Sequence, residues 1–303
     1  VAVLEKAASM FSRHLCSFVL LTLTSLAAAV PVAAQEKLAW KFAPGTELKY
    51  VVNQNMNTEI TLAGQKTTQA MKQTMDMGWS VQDVTAAGTA VMGQTIERIQ
   101  MDFSGSLIES FKYDSADTTP PATSMARRIA DSYTKILNQQ FQVTMKPTGE
   151  ITDVKIPDPL MEALTSSGNG VLTEDMVRQM MTQSAITLPT MPISRGYVWG
   201  NKQTVTLPYG IMTIDSRLSY VGADSAGRAV IRMEPKISIQ NSENSPQQVN
   251  LKSSTGKGSV YFDAARGVIV RSELDLTMEI SVQLNGQAID QKVTQKLAMT
   301  LAE

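Results

Sequence analysis

The chain has 303 residues, 43% of them hydrophobic and 18% charged, with 27 basic side chains against 28 acidic ones. This is the composition of an ordinary globular protein, long enough for one large domain or two small ones. Near-neutral charge with a single basic doublet after the leader, Arg127-Arg128, argues against nucleic acid as a partner.

At the N-terminus, Arg13 and His14 precede an apolar run from Leu15 to Val30, and Pro31 and the small residues Val32-Ala33-Ala34 follow. Cationic start, short apolar centre and small-residue end are the parts of a secretory signal, which predicts cleavage near Ala34. Met10 sits where translation would naturally start. The run is shorter than the ~20 residues that span a bilayer, and no later segment reaches that length, so the mature form is expected to have no transmembrane segment. The expected organisation is a signal peptide over 1–34 and one β-rich domain over 35–303. The lone Cys16 and lone His14 both lie in the removable part. A mature chain without thiol or imidazole excludes cysteine nucleophiles, serine–histidine triads and His/Cys metal sites. Cys16 opens the apolar run instead of closing it, which excludes a lipobox.

The mature chain opens with period-2 alternation. Met56, Ile60 and Leu62 lead to a turn at Ala63-Gly64, and Met71, Met75, Met77, Trp79 and Val81 return on one face. Shorter hairpins recur around a glycine, at Val81…Gly88…Val91, Val143…Gly149…Ile151, Tyr220…Gly227…Ile231 and Tyr261…Gly267…Ile269. Residues 79–92 and 218–231 match without a gap, which points to a weak internal duplication. The central region changes period. Met125, Ile129, Tyr133, Ile136 and Leu137 predict a helix over 123–139. Asp158-Pro159 opens a second helix through Leu164, and Thr173 caps a third whose apolar stripe is Met176, Val177, Met180 and Met181. Ser166–Gly170 reads as a link, and Gln240–Asn250 as a long polar loop. Near the C-terminus, Leu276, Met278, Ile280, Val282 and Leu284 alternate with polar residues up to Asn285-Gly286, a strong hairpin turn. Ile289, Val293, Leu297, Met299 and Leu301 return.

The predicted fold is α+β and mostly β. It is a curved, half-barrel-like antiparallel sheet of two weakly repeated β blocks, with about three helices from an insert near 123–186 covering one face. Two separate β domains are the alternative.

Chemistry is sparse. Ser132-Tyr133-Thr134-Lys135 sets a hydroxyl and an amine one turn apart, but Ser-x-x-Lys recurs at Ser254–Lys257 and no Lys-Thr-Gly element accompanies it. Carboxylate pairs such as Asp153 with Asp158, or Glu174 with Asp175, have no predicted cleft. Thr255–Ser259 resembles a phosphate loop only superficially and reads as a turn. The 18 methionines could offer thioethers to Cu(I), as at Met71, Met75 and Met77, or at Met176, Met180 and Met181. Their apolar positions fit packing or an adaptable wall better. No metal site and no cofactor are therefore expected.

Three phrases carry a family resemblance. They are Leu38-Ala39-Trp40-Lys41-Phe42-Ala43-Pro44-Gly45 followed by Tyr50, Gly149-Glu150-Ile151-Thr152-Asp153-Val154, and Leu188-Pro189 with Pro192, Gly196 and Trp199. They resemble an uncharacterised family of exported bacterial proteins, a domain of unknown function. The resemblance implies a secreted or periplasmic β-rich protein with no catalytic residue to transfer. In architecture alone, the expected sheet and helices are similar to outer-membrane lipoprotein carriers.

The functional expectation is an exported, non-enzymatic cell-envelope protein, periplasmic or secreted, holding a lipid or hydrophobic ligand between sheet and helices. The candidate ligand-facing residues are Met71, Met75, Met77, Trp79, Met278, Ile280 and Val282. Partners would be a lipid or an envelope protein. The alternatives are an interaction module with a filled core and, third, a hydrolase using carboxylates or Ser/Lys.

Overall fold

Alternating apolar and polar residues dominate the chain from about residue 47 on, outside its central region, and an antiparallel ladder satisfies such a chain while giving each face one character. In the computed structural model, which describes residues 35–302 except 107–108, 168–172, 184–185, 244, 246 and 285–286, twelve strands form one antiparallel sheet. They are β1 (Glu47–Leu62), β2 (Gln65–Val84), β3 (Ala90–Gly105), β4 (Phe111–Asp114), β5 (Gln140–Met145), β6 (Ile151–Lys155), β7 (Val198–Leu207), β8 (Gly210–Ala223), β9 (Ala229–Asn241), β10 (Gln247–Asp263), β11 (Val268–Leu284) and β12 (Gln287–Leu301). The order is β6-β5-β3-β2-β1-β12-β11-β10-β9-β8-β7, with β4 on β3. The first and last strands meet in the middle, Tyr50 opposite Leu301. The sheet is open, curved and mostly β with three helices, as the alternation predicts, and one sheet replaces the two-domain alternative.

The helices are α1 (Ser124–Thr134), α2 (Asp158–Ser167) and α3 (Glu174–Gln183). Thr123 caps α1 by accepting from the Ala126 amide at 3.1 Å. The helix stops earlier than its periodicity predicts. Asn138 turns to φ 59° and donates to the Ile96 carbonyl, pulling residues 137–138 onto β3. α3 packs on both margins of the sheet, β6 and β7. Arg178 donates to the Val154 carbonyl of β6, and Gln179 Oε1 accepts from the Thr206 amide of β7 at 3.1 Å. Side chains from one helix thus occupy edge groups that would otherwise be open to strand addition.

One end of the curled sheet is plugged. The leading segment runs through it, Trp40 donating to the Pro147 carbonyl, Lys41 to Gly267, and Glu36 exchanging hydrogen bonds with Ile193. Leu38, Trp40, Tyr50, Met92, Val143, Leu160, Val177, Leu218, Ile231 and Phe262 form the main core there. Trp40 stacks on Phe42 at 5.7 Å and meets Phe262 edge-on at 6.0 Å. A smaller cluster lies under α1, with Met101, Phe111 and Ala126 at its centre.

The two matching segments fold alike. β2–β3 shifts register between Val81 and Asp83, and β8–β9 between Tyr220 and Gly222, the same two positions of the match. Gly88 and Gly227 turn both hairpins at φ 80° and 77°. Two expectations need correction. Gln240–Asn250 is mostly strand, because the Asn241 side chain holds both the amide and the carbonyl of Val249, at 2.7 and 2.8 Å, and so continues the ladder. Thr255–Ser259 is mid-strand in β10, paired with β11, and makes no turn. The expected Asn285-Gly286 turn, most of the expected Ser166–Gly170 link and the expected signal segment over 1–34 lie outside the described residues.

Candidate functional site

Alternation assigns every strand residue to one face, and cross-strand register carries the assignment from strand to strand. Starting from buried Tyr50, the inner row of β1 is Tyr50, Val52, Gln54, Met56, Thr58, Ile60 and Leu62. Across it lie Met71, Gln73, Met75 and Met77 of β2, and Val293, Gln295, Leu297 and Met299 of β12. β11 continues with Leu274, Leu276, Met278, Ile280 and Val282, and β9 with Met233, Pro235, Ile237 and Ile239. Followed through the described strands from β3 to β7, this inner face carries no charged residue. The lysines, arginines and carboxylates of these strands stand on the other face.

The seven candidate residues share the inner face but not one environment. Met71 packs under α1 with Phe103, Ile129 and Tyr133, where the Gln73 amide donates to the Tyr133 hydroxyl at 3.1 Å. Burial raises the pKa of that phenol. Met77 and Trp79 pack on the plugged core, Trp79 lying 4.9 Å from the Tyr50 ring. Tyr50, its pKa pushed well above the ordinary phenol value by burial, donates to the Ile269 carbonyl at 3.0 Å. Met75, Met278 and Ile280 lie between these clusters with their side chains half-buried, while Val282 is buried opposite Val249. Met56, Ile60, Leu274, Leu276, Val293 and Leu297 are half-buried beside them and belong to neither core cluster. The helices therefore cover the two flanks of the inner face and leave its centre, β1, β12 and β11, open.

Sequence reading missed the glutamines of this centre. Gln54 stands between Gln73 and Leu297, Gln295 between Met56 and Leu276, and Gln291 between Ile60 and Ile280. Their signal was present in the alternation of β1 and β12, but polar residues inside an apolar row read as noise until neighbouring strands are paired.

The outer face offers concavities of another kind. One of about 650 Å³ lies among Asn53, Arg232, Glu234, Lys257, Glu273, Asp275 and Lys296. Its carboxylates are engaged, Glu234 by Arg217 at 3.3 Å, Asp275 by Lys296 at 3.6 Å and Glu273 by Arg271. Exposed pairs of this kind contribute little beyond solubility. The candidate catalytic groups have structural partners: Ser132 donates to the Arg128 carbonyl at 2.9 Å, and Glu174 accepts from Arg178 at 2.8 Å. Among the described residues, no three His, Cys, Asp or Glu side chains converge as metal ligands. The β2 methionines are divided between environments, so their thioethers do not gather at one point.

Residues 87–288, more than half of the chain, match the model of a family of unknown function (DUF6263). The chain belongs to that family. No curated protein matches it. A solved structure concerned with lipid–protein interactions in lipovitellin is similar, with a TM-score of 0.51 and 12% identity over 87% of this chain and 26% of that one. The chain thus spans about a quarter of that lipovitellin chain, and the likeness is one of fold. DynF, from the dynemicin biosynthesis pathway of Micromonospora chersina, aligns over 89% of this chain and 86% of its own at 7% identity and TM-score 0.24. A DUF1329 family protein from Desulfovibrio piger aligns over 81% and 83% at 8% identity and TM-score 0.17. These last two scores are too low to speak for a shared fold. Among the described residues of this DUF6263 member, no helix is long and apolar enough to cross a membrane.

Proposed function

We propose that this DUF6263 protein is an exported, non-enzymatic binder of lipid or a similarly hydrophobic ligand in the bacterial envelope. The ligand lies on the open centre of the inner sheet face. One observation carries the reading: an uncharged, largely apolar sheet face, only partly buried across three central strands, while the helices that could cover it pack at its flanks. Leaving such a surface in water forgoes about 25 cal/mol for each Å² that a ligand would bury. A contiguous apolar surface that no helix covers is a usual place for an interaction site. The fold likeness to lipovitellin supports the ligand class. The structural employment of Ser132 and Glu174 supports a role without bond-breaking.

The test is native mass spectrometry of the protein purified from bacterial envelope, with lipid extraction in parallel. Bound lipid, lost on substituting Met278→Glu while the fold is retained, is the expected result. Lipid-free protein that also fails to take up added lipid would overturn the reading in favour of an interaction module. Secretion is tested by the intact mass of the exported form, expected to begin at Gln35.

A further inference from the structure

The inner face is not a plain hydrocarbon surface. Half-buried amides stand in its apolar rows at Gln54, Gln291 and Gln295, and none has a side-chain hydrogen-bond partner among the described residues. These amides are partly exposed and meet water in the free protein, so an uncharged acceptor lying on the face would find donors there, whereas a ligand without one would strip them of water unrewarded. The same face holds no lysine or arginine to neutralise an acid, and taking an unpaired carboxylate out of water is costly. It also holds no carboxylate to receive an amine.

Resting on the proposed lipid binding, we infer that the face selects uncharged acyl esters. The acyl chains lie against Met56, Leu276, Val293 and Leu297, and the ester carbonyls accept from the glutamine amides. A carboxylate is disfavoured for want of a cation, and a bare hydrocarbon leaves the amides unmet.

Three probes of one chain length separate these terms: methyl oleate, oleate and octadecene, each displacing Nile red from the full-length protein at pH 8. Methyl oleate is expected to displace the dye at least tenfold better than oleate and several-fold better than octadecene. Gln54→Leu and Gln295→Leu should close the gap to octadecene. Gln295→Lys, which places a cation in the row, should move preference toward oleate by about tenfold. Gln291→Lys provides the same test should that variant misfold. Oleate binding as tightly as methyl oleate, or octadecene equal to both, would overturn the selectivity while leaving lipid binding intact. If neither Nile red nor any probe binds, both readings fall.

Discussion

Leu218 and Leu276 are the same side chain on the same face of the same sheet, and truncating each to alanine separates the fold from the surface proposed to function. Leu218 is 0% exposed, set between Trp199 of β7 and Met233 of β9 within the main core. Leu276 is only partly buried between Gln295 and Gly256 and belongs to neither core cluster. Leu→Ala in a close-packed interior loses the transfer energy of the removed atoms and leaves a cavity, so Leu218→Ala should cost about 3 kcal/mol. With a urea m-value near 3 kcal/mol/M for a chain this size, that lowers the unfolding midpoint by about 1 M. Leu276→Ala removes side-chain surface already partly wet and opens no closed cavity, so about 1 kcal/mol and a shift near 0.3 M are expected. Urea titrations followed by tryptophan emission and circular dichroism would measure both. Equal costs would mean that the centre of the inner face is covered and structural, and would remove the surface on which lipid binding rests.

Two glycines in the same left-handed conformation should respond unequally to alanine. At Gly227, φ 77°, a Cβ would meet nothing within 4 Å, so Gly227→Ala should cost only the conformational term of about 1 kcal/mol. At Gly149, φ 86°, it would lie 2.7 Å from the Ile186 carbonyl, adding about 1–3 kcal/mol of overpacking visible in the thermal midpoint. Asp114 is held well below the usual carboxylate range, first by its hydrogen bond from Arg98, so its contribution is present above the unfolded pKa near 4. That contribution should fade as pH falls below about 4, and Asp114→Asn should flatten the acid limb of a stability–pH curve. Arg178→Ala frees the Val154 carbonyl and one end of the α3 clip; amide exchange in β6 and α3 should then quicken roughly tenfold with distant β10–β11 amides unchanged.

Local rules made much of the fold legible. Period-2 alternation marked β1, β2, β11 and β12, and the glycines at 88, 149, 227 and 267 marked four hairpins, because a positive φ is a property of the turn itself. The spacing of Met125, Ile129 and Tyr133 marked a helix start at 123, where Thr123 caps it. Where long-range contact intervened, reading along the chain went astray. α1 ends when Asn138 is drawn to β3, and Gln240–Asn250 becomes strand because Asn241 reaches across to Val249. The candidate site was legible residue by residue but not as a surface. Met71, Trp79 and Met278 share a face by alternation, yet α1 covers the first and Trp40 of the leading segment stacks on the second.

The sequence alone determined a β-rich chain whose described part has no thiol or imidazole, with apolar residues concentrated on one face of most strands. Composition and nearest-neighbour geometry suffice for that. Only the tertiary structure decided that the first strand pairs with the last, that α3 spans both sheet margins, and that the central rows stay open with their amides unpartnered. Each depends on which strands and helices meet, and contacts between segments more than 200 residues apart, such as Tyr50 with Leu301, leave no local trace in the chain.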